Sequence, residues 1–578
     1  MLKDITQTTP DKNTAEPEFM NQSKANQFNK FFATVGTVIQ RSLGTKETTS
    51  TIPTRGTFTF KEETEETIRS LIDRIRIDVT TGEDDISARL LKDAKFTIAA
   101  SITRLVSLSY SQKTFPDSMK RAIIRPIHKK NCTEDISNYR PISILSVISK
   151  IFERSATNQL VKYLEDHGLL NPTQHAYRKG HSTQTCLMEI VEYIQKQRDN
   201  RKTIGLASLD LSKAFDSISH SHLLVKLGKL GLHGDAINWC KSYLENRKQK
   251  TKFKKYISEE HLVTSGVPQG SILGPIMFIC FTNDMATIFP NCKVLSYADD
   301  SQLIVTGSNK KEVKAQLQEL IKIAQTWYSG NSLKNNASKT EIIIIGENTK
   351  EKKIPAYIEV TDDGKTTKLS PSKYVKILGI YIDDELNWNR QIQEVRKKAC
   401  NSIRNLHRVN QLIPLKHRIL LYNSLVASHY NYCDTVWSGC GVMNERKLQT
   451  TQNFAARSIL GKSKHSSATE ALTTLKFLPL KEKRTIHEAV YTHKAFKCKL
   501  PLEVTEQYKN LEPKKNLRSS KCKTLNIPKH ATEQYKRGPL YRTVKTWNSI
   551  PAQLRTENIT TTTFKKKYQT HLIECCKP

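Results

Sequence analysis

The stretch Val294-Leu-Ser-Tyr-Ala-Asp-Asp-Ser-Gln-Leu-Ile-Val305 decides how this chain is read. An apolar run enters Tyr297-Ala298-Asp299-Asp300, and a second apolar run, Leu303-Ile304-Val305, leaves it. This pattern predicts two short strands with a pair of aspartates at the tight turn between them. Adjacent carboxylates repel each other unless positive charge sits between them. A divalent cation is the usual solution, and hard oxygen ligands suit Mg2+. An Asp-Asp pair alone would mark no more than a hairpin turn. The surroundings of this pair move the reading toward a metal site.

Working outward, 578 residues exceed one compact core and predict two to four domains. The 91 Lys and Arg against 56 Asp and Glu leave a net charge of +35. Such an excess repels itself unless a polyanion neutralises it, and nucleic acid is the leading partner. Solubility alone, or an anionic membrane surface, is the plainer alternative. The opening MLKDITQTTPDKN has no apolar signal core, and no run approaches the ~20 residues of a membrane span. The expectation is an intracellular protein of nucleus or cytoplasm, not secreted and with no membrane partner. The 12 cysteines form no C-x-x-C pair, so reduced thiols are expected and a zinc site is not supported.

Along the chain, residues 1 to about 25 are polar and read as disordered. Residues 27–40 (QFNKFFATVGTVIQ) have helical periodicity, and a Thr/Ser-rich linker covers 45–59. Helices are expected over 62–76 and 86–109, the second capped by Asp85-Ile-Ser. A strand over 121–130 ends in a basic tip, and a polar loop leads to NYRPIS, 138–143. A helix over 146–167, the donor-rich loop QHAYRKGHST at 174–183 and another helix to 197 follow. Basic residues concentrated in these two loops favour phosphate contact. Residues 204–209 read as a buried strand with Asp210 at its C-terminal end and a helix soon after. GVPQGSILGP, 266–275, opens a further helix, its glycines letting backbone lie close to a ligand. Helix 310–329 and strands at 339–346 and 375–383 come next, and from Trp388 the pattern is helical and basic.

A strand ending in Asp210, a Gly-rich loop and the Asp299-Asp300 hairpin is the layout of a polymerase palm. If the strands pair, three carboxylates meet and can hold two Mg2+ ions ~3.5–4 Å apart. In-line nucleotidyl transfer is then mostly positioning and electrostatics.

The chain resembles the reverse transcriptases of jockey-like, non-LTR (LINE-type) retrotransposons from about Phe28 to near its end. SLDLSKAFDSISH (208–220), GVPQGSILGP (266–275) and YADD (297–300) carry the resemblance, supported by NYRPISIL, NNASKT and KILGIYID. It implies an α+β right-hand polymerase fold with fingers and an antiparallel-sheet palm, followed by a basic helical thumb and C-terminal region. The expected divisions are a polar N-terminal segment and linker at 1–60, a helical extension at 61–112, fingers and palm at 113–385, and thumb and C-terminal region at 386–578.

The resemblance implies that Asp210, Asp299 and Asp300 are catalytic metal ligands for two Mg2+ ions, Mn2+ being an alternative, with the Leu211 carbonyl assisting. Phe215 matches the steric gate that favours dNTPs; without the motif it would read as a core aromatic. Arg140 matches the residue that grips the triphosphate, as a guanidinium fork suits. Gln269 and Gly270 match the loop beside the nascent base pair, and Lys339 a lysine near the triphosphate. Asp216 reads as structural. The implied partners are an RNA template, a DNA primer, their RNA–DNA duplex and dNTPs.

Ala176 and Tyr177 depart from the family's usual Gly and Phe, Asp85 from Gly, and Gln391 from His. None is a metal ligand. The pre-polymerase segment already begins at Gln27. The expectation is therefore a truncated element or a partial gene model, with an endonuclease supplied in trans as one option. The competing reading is a catalytically inactive, nucleic-acid-binding remnant. Tyr422, Tyr430 and Trp437 read as core aromatics rather than base-stacking platforms.

Overall fold

The computed structural model describes residues 18–43, 56–129, 132–346, 357–362, 365–513 and 522–575. The segment 1–17 of the expected N-terminal disorder, and 45–55 of the expected linker, lie outside them. Within the described residues, helix replaces the disorder expected before residue 25. Helix α1 spans Glu18–Leu43 and is followed by α2 Glu65–Asp73, α3 Ala88–Asp93 and α4 Lys95–Ser111. Next come β1 Arg121–His128, β2 Tyr139–Leu145, α5 Val147–Asp166, α6 Thr183–Asp199, β3 Thr203–Leu209 and β4 Leu211–Ser212. Then follow α7 His220–Lys229, α8 Gly234–Leu244, β5 Arg247–Phe253, β6 Tyr256–Ile257, β7 His261–Val263 and α9 Gly274–Phe281. After these lie β8 Lys293–Tyr297, β9 Asp300–Gly307, α10 Lys310–Gly330, β10 Lys334–Asn335 and β11 Glu341–Ile345. Two hairpins, β12 Ile358–Asp362 with β13 Lys365–Leu369 and β14 Tyr374–Ile377 with β15 Ile380–Asp383, precede a long helical region that starts with α11 Asn389–Arg408.

The described residues fall into two compact units, each discontinuous in sequence. The first takes residues up to 171 with 211–288 and 324–335; the second takes 172–210, 289–323 and 336 onward.

In the first unit, β1 pairs antiparallel with β2 and parallel with β5, whose other partners are β6 and β7. Helix α1 lies on this sheet. Phe28 and Phe32 pack with Ile124 and Tyr139 in a small apolar cluster. Asn29, fully buried, donates to the carbonyls of Gln249 and Glu259 and accepts from Gln249 Nε2 and Thr251 Oγ1. That set of bonds satisfies the polar inner face of β5. Farther along α1, a Cβ on Gly36 would stand 1.9 Å from the Asp216 carbonyl oxygen. Backbone cannot yield as a flexible side chain can, so Gly36→Ala is expected to lower stability by about 1–3 kcal/mol. Denaturant unfolding of the two proteins checks this.

The second unit is built on the sheet β11-β3-β9-β8, antiparallel throughout. Nearly every β3 and β11 residue is buried, which explains their near-continuous apolar runs. Ile204, Leu206, Ile304 and Ile343 share one apolar core with Ile190 and Ile194 of α6 and with Trp388, Trp437 and Trp547 of the helical region. Tyr422, Tyr430 and Trp437 are 2%, 1% and 0% exposed, as core aromatics should be.

Two expectations are corrected. The strand read over 375–383 is a hairpin, because Leu378 and Gly379 both take positive φ (46° and 88°) between β14 and β15. Two such residues make the tight turn that matches strand twist. The helix expected over 86–109 is two helices: Ala94 leaves helical geometry at φ −88° and ψ 3°. Lys92 and Lys95 on either side of the break both bind Asp73. Among the described residues no helix is long and apolar enough to cross a membrane, and no two cysteines are bonded.

Candidate active site

Asp210, Asp299, Asp300 and Lys339 belong to the second unit. Strand β3 ends at Leu209, which faces Ser301 of β9, so Asp210 leaves the sheet where Asp300 enters it. Tyr297 pairs with Asp300, leaving Ala298 and Asp299 as a two-residue turn. The register thus brings the three aspartates to one end of one sheet. Ala298 has φ 56°, the left-handed region that a two-residue hairpin demands. Lys339 Nζ lies 3.0 Å from Asp210 Oδ2. The Asp210 carbonyl accepts from the Asn336 N–H at 2.9 Å, which ties the NNASKT segment to the end of β3.

Arg140, Leu211, Phe215, Gln269 and Gly270 belong to the first unit. The Gly-rich loop runs along residues 215–218: Val267 N–H donates to the Phe215 carbonyl and Gly266 N–H to that of Ile218. Its tip leans on β2. Ser143 N–H donates to the Gln269 carbonyl at 2.7 Å, and a Cβ on Gly270 (φ 133°) would stand 2.4 Å from the Ser143 oxygen. Only glycine fits there. Gln269 and Gly270 therefore sit against the strand that carries the exposed Arg140. The Phe215 ring stacks on Phe278, with centroids 4.4 Å apart. Leu211 is buried, and its strand β4 pairs with β10.

Gln269 Nε2 donates to Asp216 Oδ1 at 2.8 Å. The other carboxylate oxygen is shut off from solvent and has no hydrogen-bond partner among the described residues. Burial pushes the Asp216 carboxyl up to about 6, against the opposing pull of Gln269 and Lys213. A pKa raised on folding makes the native state bind the proton more tightly than the unfolded chain. Stability is therefore full below the unfolded value near ~4 and falls as pH rises through about 6. The loss expected from this group is at most ~3 kcal/mol. Asp216→Asn keeps an acceptor for Gln269 and should remove most of that pH dependence. Unfolding midpoints measured between pH 4 and 8 test it.

Sequence reasoning missed two residues that shape these loops. Glu153 of α5 is fully buried, and its Oε2 accepts from the Ile272 and Leu273 N–H groups at 2.5 and 3.2 Å. It caps α9, whose own N-cap residue, Leu273, provides no side-chain bond. The signal was a lone acid among the apolar positions Ile151, Phe152 and Ala156. The second is Gln174, 6% exposed, whose amide meets Ala298 across the aspartate turn. The donor-rich loop that begins there is partly turned inward: His175 is buried against Thr185 and Glu189. Tyr177, half-exposed at φ 59°, lies on the same loop.

The family described as reverse transcriptase (RNA-dependent DNA polymerase) matches residues 127–382. That span includes all nine of the residues singled out above, from Arg140 to Lys339. The chain is similar to three Drosophila melanogaster proteins. The probable RNA-directed DNA polymerase from transposon X-element is 26% identical over 66% of this chain and 42% of its own length. The probable RNA-directed DNA polymerase from transposon BS is 28% identical over 69% and 44%. The RNA-directed DNA polymerase from mobile element jockey is 27% identical over 68% and 44%. Residues 127–382 match a reverse transcriptase domain, and the chain is similar to the polymerases of jockey-like, non-LTR elements. It spans less than half the length of these curated relatives. A reverse transcriptase domain works with divalent metal ions on RNA templates, DNA primers and dNTPs.

The donor set of this chain fits such ions in kind, being three carboxylates at one sheet end. Among the described residues, however, no three His, Cys, Asp or Glu side chains converge on a single point at ligand distance. The Asp210 carboxylate is turned to Lys339 instead.

Proposed function

We propose that this chain extends a DNA 3′ end on an RNA template, with fingers and palm over 113–385 and a thumb in the basic helical region beyond. The observation that carries the reading is the register that sets Asp210, Asp299 and Asp300 at one end of an antiparallel sheet. On this reading those three carboxylates, with the Leu211 carbonyl, hold two Mg2+ ions, or Mn2+ in their place. The bound metals supply Lewis acidity toward the primer hydroxyl and the leaving pyrophosphate. The chain's own residues do the rest. Arg140 binds triphosphate oxygens as a bidentate fork. Gln269, oriented by Asp216, and Gly270, which brings backbone close, form the floor under the nascent base pair. Phe215 excludes a ribose 2′-hydroxyl. Lys339, whose Nζ pairs with Asp210, gives a proton to pyrophosphate on this reading.

The net charge of +35 supports template and duplex binding through backbone phosphates, in the nucleus or cytoplasm where such templates are met. An endonuclease in trans would supply the nicked primer end, and an oligonucleotide replaces it in the test. Purified protein is given an RNA template, a DNA primer, dNTPs and Mg2+, with and without EDTA. Extension that EDTA abolishes is expected. Salt-sensitive template binding without extension would instead favour the inactive remnant.

A further inference from the structure

The donor-rich loop before α6 forms an edge to the aspartate hairpin. Gln174 bridges to Ser296 in parallel, with His175 N–H donating to the Ser296 carbonyl at 2.8 Å and Ser296 N–H to that of Thr173 at 3.0 Å. The loop is fixed from behind by His175, whose Nε2 lies 3.2 Å from Glu189. From this base the Gln174 side chain reaches the turn. Its Oε1 accepts from the Ala298 N–H at 3.0 Å and from the Ala176 N–H at 3.0 Å. Its Nε2 faces the Ala298 carbonyl at 3.5 Å. One buried amide thus engages both polar groups of the residue that carries the turn's positive φ.

We infer that Gln174 is a positioning residue: it grips the Ala298 backbone and so sets the direction in which the Asp299 and Asp300 side chains leave the hairpin. An alanine gains nothing by itself from a left-handed conformation, which L-residues other than Asn, Asp and Gly seldom adopt. The two-residue hairpin requires it here, and the Gln174 amide offsets its cost by satisfying the Ala298 N–H. A glutamine suits the task, because its amide offers an acceptor and a donor to one backbone residue. Groups that orient a ligand carboxylate influence metal affinity although they never touch the ion. This last step rests on the polymerase reading; the grip on Ala298 does not.

The test uses the full chain and two readouts, with Gln174→Leu, Gln174→Glu and Asp299→Asn. Amide hydrogen exchange follows the peptide 293–307, and Mn2+ titration followed by EPR follows the metal site. In Gln174→Leu, exchange at the turn should quicken about fivefold, as loss of a hydrogen bond predicts. Its Mn2+ dissociation constant should rise by about tenfold or more. Gln174→Glu keeps the acceptor and should retain the protection of the Ala298 amide, a rescue that a merely space-filling role would not give. Should Gln174→Leu fail to fold, Gln174→Asn, one methylene shorter, makes the same comparison. Wild-type exchange in Gln174→Leu overturns the inference, and so does fast exchange with wild-type Mn2+ affinity. If the wild type and Asp299→Asn both fail to bind Mn2+, the polymerase reading falls, and exchange alone decides whether Gln174 holds the turn.

Discussion

Asp299→Asn is expected to reduce DNA synthesis on an RNA template by about a thousandfold or more, which is ~4 kcal/mol of transition-state stabilisation. The substitution is nearly isosteric and leaves the two-residue turn and its Ala298 contacts in place. What it removes is one negative charge from the pair of adjacent carboxylates at the end of the β11-β3-β9-β8 sheet. An amide oxygen is a poorer ligand for a hard divalent cation than a carboxylate. The fall should appear in kcat, measured by single-turnover primer extension, because the lost interaction belongs to the reacting phosphate. Template affinity should hold, since the net charge of +35 that draws RNA is changed by a single unit. A variant that keeps its rate would remove Asp299 from the chemistry. One that loses rate and binding together would place its effect in the fold.

Much of the fold was legible because the second unit's sheet is built from apolar strands. Residues 204–209 and 341–345 are runs that only burial explains, and the hairpin around Asp299 and Asp300 was read at its true place. Strand β5, RKQKTKF, was not legible. Its inward residues, Gln249 and Thr251, are polar and are satisfied by Asn29 from more than two hundred positions away. Hydrophobic periodicity has no access to that kind of burial. The break at Leu378-Gly379 was hidden for the opposite reason: apolar residues continue across the turn, so the pattern alone reads as one strand.

The site divides in the same way. The acids and glycines were singled out from the sequence because their residue types in that pattern suggest a chemical task. Gln174 and Glu153 were not, because their task is to satisfy particular backbone N–H groups, and nothing local in the sequence names those partners. Asp216 reads as structural from the sequence, and in the structure its Oδ1 accepts from Gln269 Nε2.

Phe215→Val is expected to cut the preference for dNTPs over rNTPs by about a thousandfold, through gain of rNTP use rather than loss of dNTP use. Two properties of Phe215 bear on this. Its ring is stacked on the fully buried Phe278 at an interplanar angle of 14°, which holds it rigid. Its carbonyl accepts from the Val267 N–H, tying it to the loop that carries Gln269 and Gly270. A rigid ring discriminates by collision; a mobile one would turn aside and admit the hydroxyl. The same stacking is also what a core aromatic at a strand–helix junction would make, and the two roles separate in measurement. Loss of packing alone would lower the melting temperature and reduce kcat/KM for both nucleotide classes in proportion. Loss of a gate raises kcat/KM for rNTPs while that for dNTPs moves by less than about tenfold. Phe215→Leu, which keeps most of the apolar volume against Phe278 but not the planar ring, should retain near wild-type stability and still relax selection. An unchanged dNTP preference in a stable Phe215→Leu protein would return this residue to the core.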